Sequence, residues 1–339
     1  MKKLTLEEVA KLAGVSRATV SRVINNPASV SPDFRSRVQK VIEETGYRPN
    51  LAARTLASRR SQTIGLIIPS VTQSVFGDPY FAVLIEGISR ACNLHDFTLA
   101  LFLFHSEDES HRVYERALST GLLDGLIVAA DKIIDPLIPQ LIARQILAVY
   151  VGRPPDVSQT SYVDVDNISG SFLAVSHLLR LGYQRIATIS GPQDSAVGID
   201  RRAGYVKALK QRGREIDESL VVEGDFCRDG GYTAMRQLLS QEPEAVFAAS
   251  DTMAFGAIQA IREAGLKVPD DIAIVGFDDL PLAAQCDPPL TTIRQPVQRN
   301  GMLAVETLIE MLETAPHPPR HIVLPTELII RSSCGALTR

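Results

Sequence analysis

The chain has no tryptophan, six histidines and only four cysteines in 339 residues. Cys92, Cys227, Cys286 and Cys334 stand far apart and form no CxxC pair. That spacing excludes a dense disulfide scaffold and leaves packed free thiols in a reducing compartment as the expectation. No apolar run reaches membrane-spanning length. Lys2 and Lys3 could open a secretory leader, but LTLEEVAKL follows, with two glutamates and no continuous apolar core. A soluble, cytoplasmic protein is expected. Catalytic signatures are missing as well: there is no GxGxxG after a strand, no GxxxxGK[ST], no GxSxG and no HExxH. His317 and His321 lie among Pro316, Pro318 and Pro319 without cysteine partners and are expected at the surface. The reading is therefore of a protein that is not an enzyme and holds neither metal nor cofactor.

What is present is uneven. The first 60 residues carry 12 Lys/Arg against 5 Asp/Glu, net +7, while the other 279 carry 23 against 34, net −11, giving −4 overall. A basic head on an acidic body predicts that only the head meets a polyanion. The length is also too great for one core and predicts two or three folding units.

Within the head, TLEEVAKLAGVSRATVSRVI (Thr5 to Ile24) has the pattern of two short helices joined by a tight turn. Leu6, Val9, Ala10 and Ala13 recur at helical spacing. Gly14 permits the turn, and Ser16 stands where an N-cap should. The second helix buries Val20, Val23 and Ile24 and shows Arg17, Ala18, Ser21 and Arg22 on its other face, the layout of a major-groove reader. A third helix is expected after Ser31, its cap, and Pro32, with Phe34, Val38, Val41 and Ile42 as the apolar stripe and Gly46 as its end. Arg35, Arg37 and Lys40 are expected on its surface, open to phosphates. Asn50 then caps a two-turn helix, Leu51 to Ser58, flanked by Arg54, Arg59 and Arg60, too short to persist alone in water.

From Thr63 the pattern alternates strand and helix, which predicts parallel sheets wrapped by helices. One array runs from IGLIIP to ILAVYVG and a second from near Val163 to IAIVGF. A last helix at Val297 to Leu312 and strands at HIVL and ELIIR follow. Two arrays of this size predict an α/β fold with two Rossmann-like lobes. Ligands in open α/β sheets sit beyond the carboxyl ends of strands. That rule singles out Arg153, Asp166, Asp251, Asp278 and Asp279 directly after strands, Tyr80 and Phe81 after the first loop, and Arg201 in the helix after RIATISGP. Asp279 has the pattern of a turn residue.

These features resemble the LacI/GalR family of bacterial transcription regulators over nearly the whole length. In the head the likeness rests on TLEEVAKLAGVSRATVSRVINN, Val30-Ser31 and TGYRPNLAARTLAS. In the body it rests on HLLRLGYQRIATISGP, RRAGYVKAL, SDTMAFGAIQAIREAGLKVPDDIAIVGFDD and PPLTTIRQP. The resemblance implies a helix-turn-helix head at 1–49, a hinge helix and linker at 50–61, and a periplasmic-binding-protein-like core at 62–339. The core lobes are placed near 62–162 with 292–322, and 163–291 with 323–332. It implies a homodimer on a near-palindromic operator, with no terminal leucine heptads to build a tetramer. It implies repression switched by a small molecule between the lobes, a sugar or sugar derivative, with a purine or nucleoside as the alternative. A sugar-binding protein without a DNA role is the remaining rival.

Residue by residue, the resemblance implies base reading by Arg17, Ala18 and Arg22, with Thr5, Leu6, Ser16, Thr19, Ser21, Asn25 and Ser31 as further DNA contacts. Asn50, Arg54 and Leu56 match hinge positions, Leu56 as a wedge into the minor groove. Tyr80, Phe81, Arg153, Asp166, Arg201, Phe226, Asp251, Asp278 and Gln295 match effector-pocket positions. Acids, guanidinia and amides can hydrogen-bond vicinal hydroxyls while an aromatic ring covers a sugar face. The loop VTQSVFGDPYF is longer than usual for the family and is expected to shape effector choice.

Overall fold

The structure is a computed structural model that describes residues 4–25, 27–47, 60–119, 123–129, 132–134, 136–314 and 318–336. The chain divides into two units, residues 1–61 and 62–339.

In the first unit, α1 (Leu6–Ala13) begins at a capping box in which Thr5 Oγ1 accepts from Glu8 N while Glu8 accepts from Thr5 N. Gly14 ends α1 at φ 63°, in the left-handed region, and its N–H donates back to Ala10 and Lys11. Ser16 Oγ then accepts from Thr19 N at 3.1 Å and starts α2 (Arg17–Asn25). Helix α3 (Pro32–Thr45) opens on Pro32, but the hydroxyl of Ser31 makes no cap bond. Val9, Ala10, Ala13, Val20, Val23, Val30, Val38 and Tyr47 form the core. Phe34 departs from the expected stripe: it is exposed, with the Arg37 guanidinium 5.9 Å from its ring centroid. Arg37 is not open to phosphate either, because its Nη2 donates to the carbonyls of Ala13 (2.7 Å) and Gly14 (3.1 Å) and holds the turn. Arg35 donates to the Val30 carbonyl, and Lys40 stands 3.9 Å from Glu44.

The second unit has two six-stranded sheets. The first is built from β1 (Thr63–Val71), β2 (Thr98–Phe104), β3 (Gly125–Ala129), β4 (Ala148–Val151), β5 (Ser161–Val165) and β11 (His321–Leu324), in the spatial order β11-β5-β4-β3-β1-β2, all parallel. Its helices are α4 (Thr72–Gly77), α5 (Pro79–Leu94), α6 (Glu107–Ser119), α7 (Leu137–Ala143) and α12 (Val297–Glu313). The second sheet is built from β6 (Ile186–Ser190), β7 (Val221–Glu223), β8 (Ala245–Ala248), β9 (Ala273–Asp278), β10 (Thr291–Arg294) and β12 (Glu327–Ile329). Its order is β12-β10-β9-β8-β6-β7, with only β12 antiparallel. Its helices are α8 (Asn167–Arg180), α9 (Ala196–Gln211), α10 (Arg228–Leu238) and α11 (Asp251–Glu263). The central strands are buried on both faces, as their unbroken apolar runs require.

The lobe boundaries differ from those expected. β5 pairs with β4 and β11, so Ser161–Val165 closes the first sheet and does not begin the second. β10 pairs with β9, so Thr291–Arg294 belongs to the second sheet, and the chain returns to the first lobe only with α12 and β11. Two elements go beyond the sequence reading: α4 inside the loop VTQSVFGDPYF, and β10 itself. Among the described residues, no helix is long and apolar enough to cross a membrane.

Candidate functional site

Both sheets reverse their strand order once, between β3 and β1 in the first and between β8 and β6 in the second. The carboxyl ends of strands beside such reversals are where an open α/β sheet leaves a crevice. A cleft with about 920 Å³ of atom-free space lies there, between the lobes. The first lobe supplies Ser70, Asp78, Tyr80, Phe81, Ala129, Val151, Gly152, Asp164 and Asn300. The second supplies Asn167, Val197, Arg201, Asp225, Phe226, Cys227, Ser250, Asp278 and Gln295.

Arg201 is the centre of the second wall. Its Nε donates to Asn167 Oδ1 (2.9 Å), and its Nη1 donates to the Ala249 carbonyl (2.5 Å) and Asp278 Oδ1 (3.2 Å). The guanidinium lies over the Phe277 ring at 3.7 Å from the centroid and 5.9 Å from that of Phe226. Arg201 and Asp278 side chains are 5% and 4% exposed. Such a pair persists because hydrogen bonds satisfy both partners; a buried charge alone would not be tolerated. Gln295 completes the arrangement, its Nε2 donating to Asp278 Oδ1 at 2.6 Å.

Three residues at and beside the cleft have unusual backbone angles. Asp278 sits at φ 119°, Asp279 at 57° and Phe226 at 63°, values that L side chains rarely adopt. Phe226 is aimed by a close approach: its ring fills the space over Gly191, where a β-carbon would stand 2.3 Å from Cζ. Only glycine allows that contact.

The acids of the cleft are electrostatically uncomfortable. Burial, and then the charge of Asp278, pushes the Asp78 carboxyl up to about 6. Burial likewise pushes Asp164 up to about 6, with Asp200 adding to the effect. Burial also raises Asp278, while Arg201 and Gln295 pull it back. The thiol of Cys227 is raised to about 11 by burial and by Asp225.

Six of the expected effector residues line the cleft: Tyr80, Phe81, Arg201, Phe226, Asp278 and Gln295. Three do not. Arg153 pairs through Nη2 with both oxygens of Asp200, at 2.7 and 2.8 Å, linking the loop after β4 of one lobe to α9 of the other. Asp166 caps α8, accepting from Ser169 N at 2.8 Å. Asp251 is wholly buried at the start of α11, where it accepts from Leu280 N (2.8 Å) and Thr292 Oγ1 (2.5 Å). Asp279 ties the turn to Arg294 and Arg331. Asp78, Asp164, Asn167, Asp225 and Asn300 escape the sequence reading. Of these, Asp78 had a signal, an acid before proline at a helix start, and it does cap α5. Asn300, inside α12, had none. The lobes also meet where Thr252 Oγ1 donates to Asp78 Oδ1 (3.1 Å) and Ile133 N donates to the Asp194 carbonyl (2.7 Å). His321 stacks on Tyr162, 4.6 Å between centroids, and bonds the Val157 carbonyl; His317 lies outside the described residues.

On the head, Arg17, Ala18 and Arg22 are exposed on α2. Arg17 is held by Glu7 at 3.0 Å, and Arg22 Nε reaches the Ala18 carbonyl at 3.4 Å. Thr19 shares its hydroxyl with Ser16 at 2.9 Å. Leu6 packs on the core and Ser21 is half-buried. Asn25 ends α2. Asn50, Arg54 and Leu56 lie outside the described residues.

Residues 5–50 match the family described as "Bacterial regulatory proteins, lacI family", and residues 175–334 match the "Periplasmic binding protein-like domain". The HTH-type transcriptional regulator CelR of Thermobifida fusca is 42% identical over 333 residues, covering 97% of this chain and 98% of its own. The chain belongs to the lacI family of transcription regulators. This lacI-family regulator also superposes on the solved CelR–cellobiose complex (TM-score 0.78, 39% identity, 97% and 99% of the two chains covered). The Lac repressor dimer bound to operator and the anti-inducer ONPF is similar too, with TM-score 0.84, 28% identity, and 98% and 99% covered. Its helix-turn-helix head and two-lobed core are those of the family.

Proposed function

We propose that the chain is a dimeric repressor whose operator affinity is set by a neutral carbohydrate held in the interlobe cleft. The observation that carries this reading is the charge and polarity of the cleft. Four carboxyls, Asp78, Asp164, Asp225 and Asp278, line it with a single guanidinium, Arg201. An anionic ligand would be repelled, whereas a polyol offers hydroxyls to acids and amides and an apolar face to Phe226. The similarity to a regulator solved with cellobiose supports the same class.

At the DNA, Arg17 and Arg22 donate to base edges and Ala18 offers its methyl group, while Asn50, Arg54 and Leu56 act as hinge residues with Leu56 as wedge. Two copies read two half-sites, in keeping with the operator-bound dimer of the Lac repressor. A change in the setting of the lobes on binding needs only about 1–3 kcal/mol of coupling to make a useful switch.

A thermal-shift screen with cellobiose, lactose, maltose, glucose, ribose, hypoxanthine and adenosine tests the effector class, since a ligand of the folded state raises its melting temperature. The chain's own upstream DNA is then titrated with and without each hit. A sugar should raise the melting point and alter retardation of the DNA. Shifts confined to hypoxanthine or adenosine would replace the carbohydrate reading with the purine one.

A further inference from the structure

Asn300 stands in the first turn of α12, on the first-lobe wall of the cleft. It is 2% exposed, and its Oδ1 is buried without a hydrogen-bond partner. Every other buried amide of the cleft is engaged. Asn167 accepts from Arg201 and donates to Asp164 and Val165, and Gln295 donates to Asp278.

The surroundings make the choice of residue informative. The same wall carries the aromatic and apolar side chains of Tyr80, Phe81, Ala129 and Val151. A buried amide there is unfavourable unless something bonds to it. The cleft acids, by contrast, are each bonded through Oδ1, Asp78 to Tyr80 N and Thr252, Asp164 to Val165 N and Asp225 to Cys227 N, and keep Oδ2 for a ligand hydroxyl. Asn300 also lies only five residues beyond Gln295, across the crossover from the second lobe to the first. A ligand touching the Gln295–Asp278 pair and Asn300 together spans both walls.

We propose that Asn300 determines effector specificity by accepting a hydrogen bond from one hydroxyl of the carbohydrate, so that a sugar lacking that hydroxyl is rejected. This rests on the carbohydrate reading above. A site built to bond a hydroxyl discriminates against its absence more sharply than an apolar pocket discriminates by size.

The test uses the full chain and calorimetric titration with cellobiose, or the disaccharide giving the largest shift in the same panel, together with its monodeoxy derivatives. Asn300→Leu should leave the ligand-free melting temperature unchanged or raised and weaken the disaccharide at least tenfold. One monodeoxy derivative should bind the parent at least tenfold worse than the full sugar, yet bind Asn300→Leu as well as the full sugar does. Asn300→Ala repeats the comparison should leucine not fit. Unchanged disaccharide affinity in both variants, or a fall of the ligand-free melting temperature in both, overturns the assignment while leaving the carbohydrate reading standing. A parent chain that binds no sugar of the panel removes the carbohydrate reading and, with it, this one.

Discussion

Arg153 and Asp200 join the two lobes through a two-pronged ion pair at 2.7 and 2.8 Å, at the edge of the cleft. The arginine is 40% exposed and the acid 14%, so solvent screens the attraction. A double-mutant cycle on unfolding should give no more than about 1 kcal/mol of coupling. The more telling readout is effector response. If the pair acts only as a tie between lobes, Arg153→Ala, Asp200→Ala and the double variant shift the effector midpoint by the same factor. A shift in Arg153→Ala that Asp200→Ala does not reproduce would return Arg153 to direct contact with the effector.

Arg201 is different in kind because its partner cannot reach water. Arg201→Ala leaves Asp278 buried beside Gln295 with no countercharge. The expected loss is about 3–5 kcal/mol in urea unfolding of the core, with effector binding abolished. A loss below about 1 kcal/mol would mean that Asp278 holds a proton in the parent.

The two lifted carboxyls set a pH dependence whose sign can be stated. Asp78 and Asp164 keep their protons up to about pH 6 in the folded chain. Unfolded, each ionises near 4. Between these values the folded chain binds more protons, so stability rises as pH falls through 6 and levels off below about 4. From pH 7 to 5 the gain should be on the order of 1 kcal/mol for each group. Asp78→Asn should flatten its share in urea titrations at the two pH values. Asp278 faces the same carboxyl and is itself raised by burial, so an unchanged slope in that variant would place the titration on Asp278 instead.

On the head, two arginines should separate by role. Arg22→Ala should cost about 1–3 kcal/mol of discrimination between operator and random DNA and leave folding unchanged. Arg37→Ala should instead lower the melting temperature of the head, since it removes about 1–2 kcal/mol of charged hydrogen bonding from the turn. Equal loss on both DNAs for Arg22→Ala would reduce that residue to a phosphate contact.

Much of this was legible in the sequence, for identifiable reasons. Strands such as β3 and β9 are continuous apolar runs, and the helices between them carry clear stripes, so the alternation could be read without tertiary knowledge. Sheet membership could not. Ser161–Val165 has the same buried pattern whichever sheet receives it, and only pairing with β4 and β11 decides the matter. Among site residues, the rule that ligands gather beyond strand ends found Asp278 and, through the following helix, Arg201. The same rule overreached at Asp166 and Asp251, because the position after a strand is also where a helix begins and needs a cap or a buried acceptor. Asp164 was hidden because it lies inside β5, and Asn300 because a helix interior gives no local sign that one face borders a cleft.

The chain passes between the lobes three times: from β5 to α8, from β10 to α12, and from β11 to β12. Neither lobe is a continuous stretch of sequence. A protease cutting once, at any of the three passages, leaves both lobes tethered by the other two. A deletion that ends the chain before α12 strips the first lobe of a helix and the second of its edge strand together. The two lobes are thus obliged to be made, lost and inherited as one object.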